Sequence, residues 1–100
     1  MTLSVKFLEA AEVEASEAID WYEGRETGLG TAFRETFEVV ISFIKKNPLS
    51  FPIVHGSTVR RAKVRRFPYV IFFTIQSDRI LIYSVFHTSR NPLIWKGRVD

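Results

Sequence analysis

The spacing of apolar residues predicts two helices in the first half of the chain. From Glu9 to Glu26 apolar side chains recur at helical intervals. This first stripe consists of Ala11, Ala15, Ala18 and Tyr22, with Ile19 beside it. The acidic residues of the segment are predicted to face solvent, mostly in its first half, where they suit the helix dipole. They are Glu12, Glu14, Glu17 and Asp20.

A glycine-rich stretch, GRETGLGT, separates this helix from a second one. Its glycines end the first helix, and Thr31 is predicted to cap the second. The apolar stripe of the second helix is Phe33, Phe37, Val40, Ile41 and Ile44. Lys45 and Lys46 fall in its last turn, and the following Asn-Pro pair stops it. So short a connection predicts an antiparallel helical hairpin.

Beyond Pro48 the apolar period changes from 3.6 to 2, which predicts strands. A short strand is also predicted for LSVKFL near the N-terminus, and His55 is assigned to a loop. Around residues 59–66 three cations alternate with Ala62 and Val64, so they are predicted to share one face. They are Arg61, Lys63 and Arg65. Pro68 marks a turn or an edge, Tyr69 to Ile75 a central strand, and Ile80 to Phe86 the next strand after the turn QSDR.

These elements predict an α+β fold in which an N-terminal helical hairpin packs on a small antiparallel β-sheet. Neither layer can bury its apolar side alone, so the two must form a two-layer structure. One hundred residues make a single domain, 1–100. With 46% hydrophobic residues, 14% of all residues being aromatic, the chain has enough apolar side chains for a core.

Composition narrows the classes of function. The chain has no cysteine, so neither disulfides nor a thiolate zinc site can hold the fold. No cofactor or metal is predicted. The N-terminus turns acidic after eight residues without a long apolar stretch, so no signal peptide or membrane span is predicted. The expected compartment is the cytoplasm.

Charge is divided unevenly between the two halves of the chain. Residues 1–50 carry five Lys/Arg against nine Asp/Glu, a net charge of −4, and residues 51–100 carry nine against two, a net charge of +7. The stretch VRRAKVRRFPYVIFF, residues 59–73, places five basic side chains within seven positions. Such a segment is typical of a surface that meets a polyanion or an acidic protein. Charge alone favours the other interpretation, a solvated strand face that keeps the sheet soluble.

An ordered set of short motifs resembles a known superfamily along nearly the whole chain. They are AIDWYE at 18–23, GLGTAF at 28–33, NP at 47–48, VRRAKVRRFPYVIFF at 59–73 and SVFHTSRNP at 84–92. Together they resemble the RelE/ParE superfamily of toxins from bacterial toxin–antitoxin modules. The resemblance is strongest to the ParE-like branch, often labelled plasmid-stabilisation proteins. It implies the same helical hairpin on an antiparallel sheet.

The resemblance also implies a function and partners. A stable toxin would be neutralised by a cognate antitoxin whose C-terminal segment wraps around it, and operator DNA would be met only through that antitoxin. RelE-like toxins enter the ribosomal decoding site and cleave mRNA. Studied ParE-like toxins act on DNA gyrase, and no nuclease activity is expected of them. Three hypotheses follow: a gyrase-type inhibitor that works by binding, a ribosome-dependent mRNA endonuclease, and an inactive toxin-like protein that only binds an antitoxin.

Cleavage of RNA without a metal needs side chains that take and give protons and stabilise the phosphate. The candidates are Arg61, Lys63 and Arg65 for the phosphate, His87 as proton shuttle, and Tyr69, whose hydroxyl is a poor base. In RelE-like nucleases the strand that matches YVIFF usually begins with a catalytic arginine, and here that position is Tyr69. The C-terminal tail with an Arg or Tyr, common among those nucleases, is also missing. These departures favour binding over cleavage.

The candidates for binding a target or an antitoxin are mostly the basic residues of the C-terminal half. They are Arg60, Arg61, Lys63, Arg65, Arg66, Arg90 and Trp95. Trp95 has two alternatives, packing onto the sheet or contact with the antitoxin. His87 likewise has a structural alternative, a hydrogen-bonded side chain at a strand end. Trp21 and Tyr22 are assigned to core or hairpin packing, and Phe67-Pro68-Tyr69 to a structural turn.

Overall fold

The computed structural model describes residues 3–99 as three helices and five strands. The predicted domain, 1–100, includes residues 1, 2 and 100, which lie outside the described residues. The elements are β1 (Ser4–Phe7), α1 (Glu9–Arg25), α2 (Leu29–Lys46), a 3₁₀ turn (Pro48–Ser50), β2 (Ile53–His55), β3 (Val59–Val64), β4 (Tyr69–Ile75), β5 (Arg79–His87) and α3 (Leu93–Lys96).

The two long helices bury the faces that the sequence predicts, with one exception. The buried residues of α2 include four members of its predicted stripe: Phe33, Phe37, Val40 and Ile44. In α1, Ala11, Ala18 and Tyr22 are buried, and so is Glu14. The prediction that Glu14 faces solvent is therefore wrong, because this carboxylate finds hydrogen-bond donors inside the molecule.

The connection between the helices differs from the prediction that Thr31 caps α2. The helix begins at Leu29, its N-cap is Gly28 in a left-handed conformation with φ of 92°, and Thr31 lies exposed inside the first turns. The carboxylate of Glu23 takes the capping role from the end of α1, accepting hydrogen bonds from the backbone N–H groups of Gly28 and Gly30 at 3.0 Å each. A side chain from the neighbouring helix therefore caps α2.

The sheet has the strand order β1-β5-β4-β3-β2. The consecutive strands β3, β4 and β5 pair antiparallel, as predicted. The prediction of a purely antiparallel sheet is wrong at one edge, where β1 pairs parallel with β5 and makes the sheet mixed. His55, assigned to a loop, lies in the three-residue edge strand β2, which pairs with β3 through an irregular register. Periodicity cannot reveal so short a strand.

Each face of the sheet carries its own apolar cluster. The helix-facing core joins α1 and α2 to one side of the sheet and includes Phe33, Ile71, Phe73 and Ile82. On the opposite side, called here the outer face, a smaller cluster consists of Val59, Val70, Phe72, Phe86 and Trp95. The central strand β4 is buried on both sides, which explains its nearly continuous apolar run.

A β-bulge in β5 changes which residues face the helices. Phe72 pairs with Ser84 and Phe73 with Ile82, so Tyr83 has no residue opposite it in β4. One extra residue reverses the alternation of faces. Ile82 belongs to the helix-facing core on one side of the bulge, and Val85 belongs to it on the other.

Candidate functional site

The register of the strands sorts the predicted site residues by face. Arg61 pairs with Phe72 and Lys63 with Val70, and both partners belong to the outer-face cluster. Arg61 and Lys63 therefore share the outer face, as the alternation predicted. Lys63 is exposed and Arg61 half-buried.

The other basic residues of the segment lie in the turn after β3 or are bonded to the chain before β2. Arg65 and Arg66 follow the end of β3 at Val64 and lie exposed in the turn to β4, so Arg65 lies one residue beyond the strand to which the sequence assigned it. Arg66 has a positive φ of 72°, the conformation of a tight turn. Arg60 donates a hydrogen bond of 2.6 Å to the carbonyl oxygen of Phe51, which ties it to the segment before β2.

A groove of about 320 Å³ lies on the outer face between the strands and the C-terminal segment. We call it the outer-face groove. Its cations are Arg61, Arg90 and Lys96, and its apolar lining is Val54, Val70, Phe72, Phe86, Pro92 and Trp95, with Thr88 between them. Among the described residues that line it there is neither a carboxylate nor an imidazole.

Trp95 forms one wall of this groove. Its ring stacks on Phe72 with a centroid distance of 3.8 Å and an interplanar angle of 16°, and only 4% of the residue is exposed. Of the two alternatives for Trp95, the structure shows packing onto the sheet. The edge of His55 lies against the same indole at a centroid distance of 5.5 Å. His55 is thus a second histidine near the sheet, where the sequence indicated only His87.

A second concavity of about 310 Å³ lies beside α1 at the open edge of β5, and we call it the edge pocket. Its lining is Glu14, Glu17, Ala18, Trp21, Tyr22, Tyr69, Val85, His87, Ser89 and Arg90. His87 pairs with Tyr69 across the strands, and their rings meet edge to face at 5.1 Å. The Nδ1 atom of His87 lies 2.7 Å from the hydroxyl of Ser89 and accepts the backbone N–H of Ser89 at 3.1 Å.

Tyr69 has an altered acidity in this pocket. Burial raises the pKa of Tyr69 above its ordinary value of 10.0, and the neighbouring Tyr22 raises the pKa further. Desolvation disfavours the charged phenolate, so the hydroxyl stays protonated at neutral pH. Tyr69 can donate or accept a hydrogen bond there, and its raised pKa makes it a poor base at neutral pH.

The sheet separates the residues proposed for cleavage. Tyr69 belongs with the helix-facing core, and His87 pairs with it, whereas Arg61 and Lys63 face the opposite side. Arg90 alone of the predicted site residues lines both the outer-face groove and the edge pocket. A phosphate held by Arg61 and Lys63 would therefore not meet the imidazole of His87.

The aromatic residues of the helical hairpin divide into buried and exposed. Tyr22 is buried, and Phe67 from the turn before β4 packs edge-on against it at 4.9 Å, which agrees with the predicted structural turn. Trp21, assigned to core or hairpin packing, is 56% exposed at the rim of the edge pocket, which excludes the core, and its ring meets Tyr22 edge to face at 5.0 Å. The guanidinium of Arg25 covers the Trp21 ring at 4.9 Å.

Two residues that the sequence did not single out as a pair hold the site together. The Arg98 guanidinium donates to both carboxylate oxygens of Glu14, at 2.9 and 3.0 Å, and to the carbonyl oxygen of Tyr83 at 3.1 Å. Arg90 approaches the same carboxylate at 3.9 Å. The one available signal was a glutamate at a helical interval from Ala11 and Ala18, on the buried stripe of α1.

Between residues 3 and 99 no group of three or more His, Cys, Asp or Glu side chains is arranged to hold a metal ion. None of the helices in that part of the chain is long and apolar enough to cross a bilayer.

Comparison with known proteins places the chain in a family. Residues 5–92 match the family model described as the ParE toxin of the type II toxin–antitoxin system, parDE. A solved structure titled the chromosomal ParDE TA system from P. aeruginosa contains a similar fold, with a TM-score of 0.76 at 13% sequence identity. That match covers 88% of this chain and 98% of the other. No curated protein matches the sequence.

Proposed function

The chain belongs to the ParE toxin family of type II toxin–antitoxin systems, and from this premise we propose that it arrests growth by binding a cellular target such as DNA gyrase. A cognate antitoxin would keep the toxin inactive by covering cationic residues of the same surface. In this proposal the chain works as a protein-binding inhibitor.

The composition of the outer-face groove carries this proposal. Three cations surround an apolar floor that includes Phe72 and Trp95. Positive charge steers an acidic partner surface to the groove, and exposed apolar lining such as Val54, which is 39% exposed, supplies contact area once water is expelled. Cleavage would also need a proton acceptor and donor at the phosphate, and His87 belongs to the opposite face of the sheet.

Expression in a bacterial host without the antitoxin tests the proposal. We expect growth arrest with a DNA-damage response, relieved in part by the double variant Arg61→Gln/Lys63→Gln. Loss of two cations of the outer face, one exposed and one half-buried, weakens target binding by about 1 to 2 kcal/mol, a factor of about 5 to 30 in Kd. The matched control is Arg34→Gln/Lys46→Gln, which removes the same charge from exposed positions of α2 and should leave the arrest unchanged.

Other outcomes distinguish the remaining hypotheses. Normal growth at high soluble expression contradicts the proposal, and if an antitoxin still binds tightly it supports an inactive toxin-like protein. New codon-linked ends on translated messages, lost in His87→Ala, would instead indicate an mRNA endonuclease. His55→Ala belongs in that assay as well, because His55 lies against Trp95 at the outer face.

A further inference from the structure

Beyond the residues of the outer-face groove, the structure assigns a positioning role to Glu14: it holds the C-terminal segment, residues 91–99, in the place where that segment forms a wall of the groove. The inference rests on the proposed function only for its consequence in target binding. The positioning itself is argued from the contacts of Glu14 and Arg98.

Glu14 lies beside a part of β5 whose backbone groups on one side have no partner strand among the described elements. β1 ends at Phe7 opposite Ile82, so the rest of β5 has no partner strand on that side among the described elements. The bulge turns the N–H of Val85 toward this open edge. The Oε1 atom of Glu14 accepts that N–H at 3.0 Å and the hydroxyl of Ser84 at 2.8 Å. The carboxylate thus takes the position that a neighbouring strand would occupy.

The same carboxylate then anchors the C-terminal segment through Arg98. Arg98 binds both of its oxygens, and the pair is well shielded, with side-chain exposures of 20% for Arg98 and 7% for Glu14. Bidentate charge-assisted hydrogen bonds of this kind fix geometry as well as energy. Arg98 also reaches the carbonyl oxygen of Tyr83, so one guanidinium satisfies the carboxylate and the edge of the strand together.

The pair between Arg98 and Glu14 affects the groove because Arg98 lies only three residues after Trp95. The backbone N–H of Arg98 donates to the carbonyl oxygen of Trp95 at 3.0 Å, which closes a turn after α3. α3 has only four residues, of which three are exposed, with Leu93 being 69% exposed, so it cannot hold its position by its own helical hydrogen bonds. Side-chain contacts therefore hold the segment, chiefly the burial of Trp95 in the outer-face cluster, against which Val99 also packs, and the pair between Arg98 and Glu14.

Glu14 belongs to the helix layer, and the groove opens on the outer face. Glu14 itself approaches the groove at Arg90, 3.9 Å from its carboxylate. Through Arg98 the position of α1 also determines the positions of Trp95 and Lys96. It is a positioning residue for that surface.

Acrylamide quenching of Trp95 fluorescence tests this inference, in a Trp21→Phe background that removes the exposed indole. We expect Arg98→Met to raise the quenching constant of Trp95 at least about twofold, because the segment opens locally while the helix-facing core stays folded. Arg98→Lys should restore part of the protection. The matched control is Arg79→Met, a part-buried arginine at the other end of β5 whose guanidinium bonds Gln76.

A second variant keeps the test decisive if the unpaired carboxylate prevents folding. Glu14→Gln/Arg98→Gln leaves no charge buried and keeps an oxygen for the N–H of Val85, and it should loosen Trp95 in the same way. Unchanged quenching in a folded variant overturns the inference, as does an equal change in Arg79→Met. Loss of toxicity plays no part in this readout, so a chain that proves harmless would refute the proposed function and leave the positioning role standing.

Discussion

At the scale of single residues, burial of a charge depends on the donors around it, and Glu14 illustrates this. Its carboxylate receives four hydrogen bonds, from the Ser84 hydroxyl, the Val85 N–H and two Arg98 nitrogens. Removing one partner of a buried ion pair costs about 3–5 kcal/mol, because the other charge remains without compensation. By contrast Arg65 and Arg66, predicted as members of the site, are solvated turn residues.

Tyr69 offers a prediction at this scale. Burial raises the pKa of Tyr69 above 10.0, so above that pH the unfolded chain loses the phenolic proton while the folded protein retains it. The stabilisation is complete below pH 10 and is lost as the pH rises through the pKa of the folded state. We expect the free energy of unfolding in urea to fall less between pH 8 and pH 11 in Tyr69→Phe than in the parent chain.

Tyr22→Phe is the companion variant for this experiment. Burial also raises the pKa of Tyr22, so its loss should change the pH dependence in the same direction. Lysine titration affects all the variants alike and cancels in their difference. Parallel curves for the parent chain and Tyr69→Phe would show that the phenol is equally acidic in the folded and unfolded states.

At the scale of elements, the helical hairpin depends on one close approach. A Cβ added to Gly30 would lie 2.6 Å from the carbonyl oxygen of Ile19 and 2.9 Å from the Cβ of Glu23. Only a residue without a side chain lets α2 pack this closely on α1. The same glycine donates its N–H to Glu23, so Gly30 takes part both in the packing of α2 on α1 and in the capping of α2.

Gly30→Ala and Gly24→Ala form a matched pair that tests this contact. We expect Gly30→Ala to destabilise the fold by about 1–3 kcal/mol, because the obstructing atom is backbone and the helices must separate. Gly24 has open space around its Cα, so Gly24→Ala should stabilise α1 by up to about 0.5 kcal/mol. Urea unfolding monitored by circular dichroism measures both. Similar midpoints for the two variants would contradict the close approach.

At the scale of the whole molecule, the sheet divides the surface by chemistry. The helix layer contributes most of the acidic residues, with nine Asp/Glu in residues 1–50, and the outer face carries Arg61, Lys63 and Lys96. Such a polarised molecule attracts acidic partners to one side and repels them from the other. The open edge of β5, closed by Glu14 and Arg98, links the two sides.

The salt dependence of binding distinguishes the class of partner at this scale. An RNA held through about four phosphates would bind with a log–log slope near −3, a loss of roughly fifty-fold between ~50 and ~200 mM salt. A protein partner that also buries apolar surface in the outer-face groove should lose less. We expect the weaker dependence for a purified antitoxin, measured by calorimetry, with a single-stranded RNA as comparison. A fifty-fold loss for the antitoxin would mean that the apolar floor contributes little.

The sequence by itself determined most of the fold, because local periodicity reports which face of an element is apolar. The stripe from Phe33 to Ile44, the stop at Asn47 and the span of Tyr69–Ile75 were all predicted and are confirmed. The alternation around Arg61 and Lys63 likewise predicted their common face.

Tertiary structure alone decided how the site is assembled. The donors that bury Glu14 come from positions 70, 71 and 84 residues away in the chain, and no local pattern reports such distances. The bulge at Tyr83 reverses the faces of β5, so His87 lies opposite the cations that the sequence grouped with it. Periodicity shows which residues within one strand share a face. The register between strands decides which residues of different strands share a face.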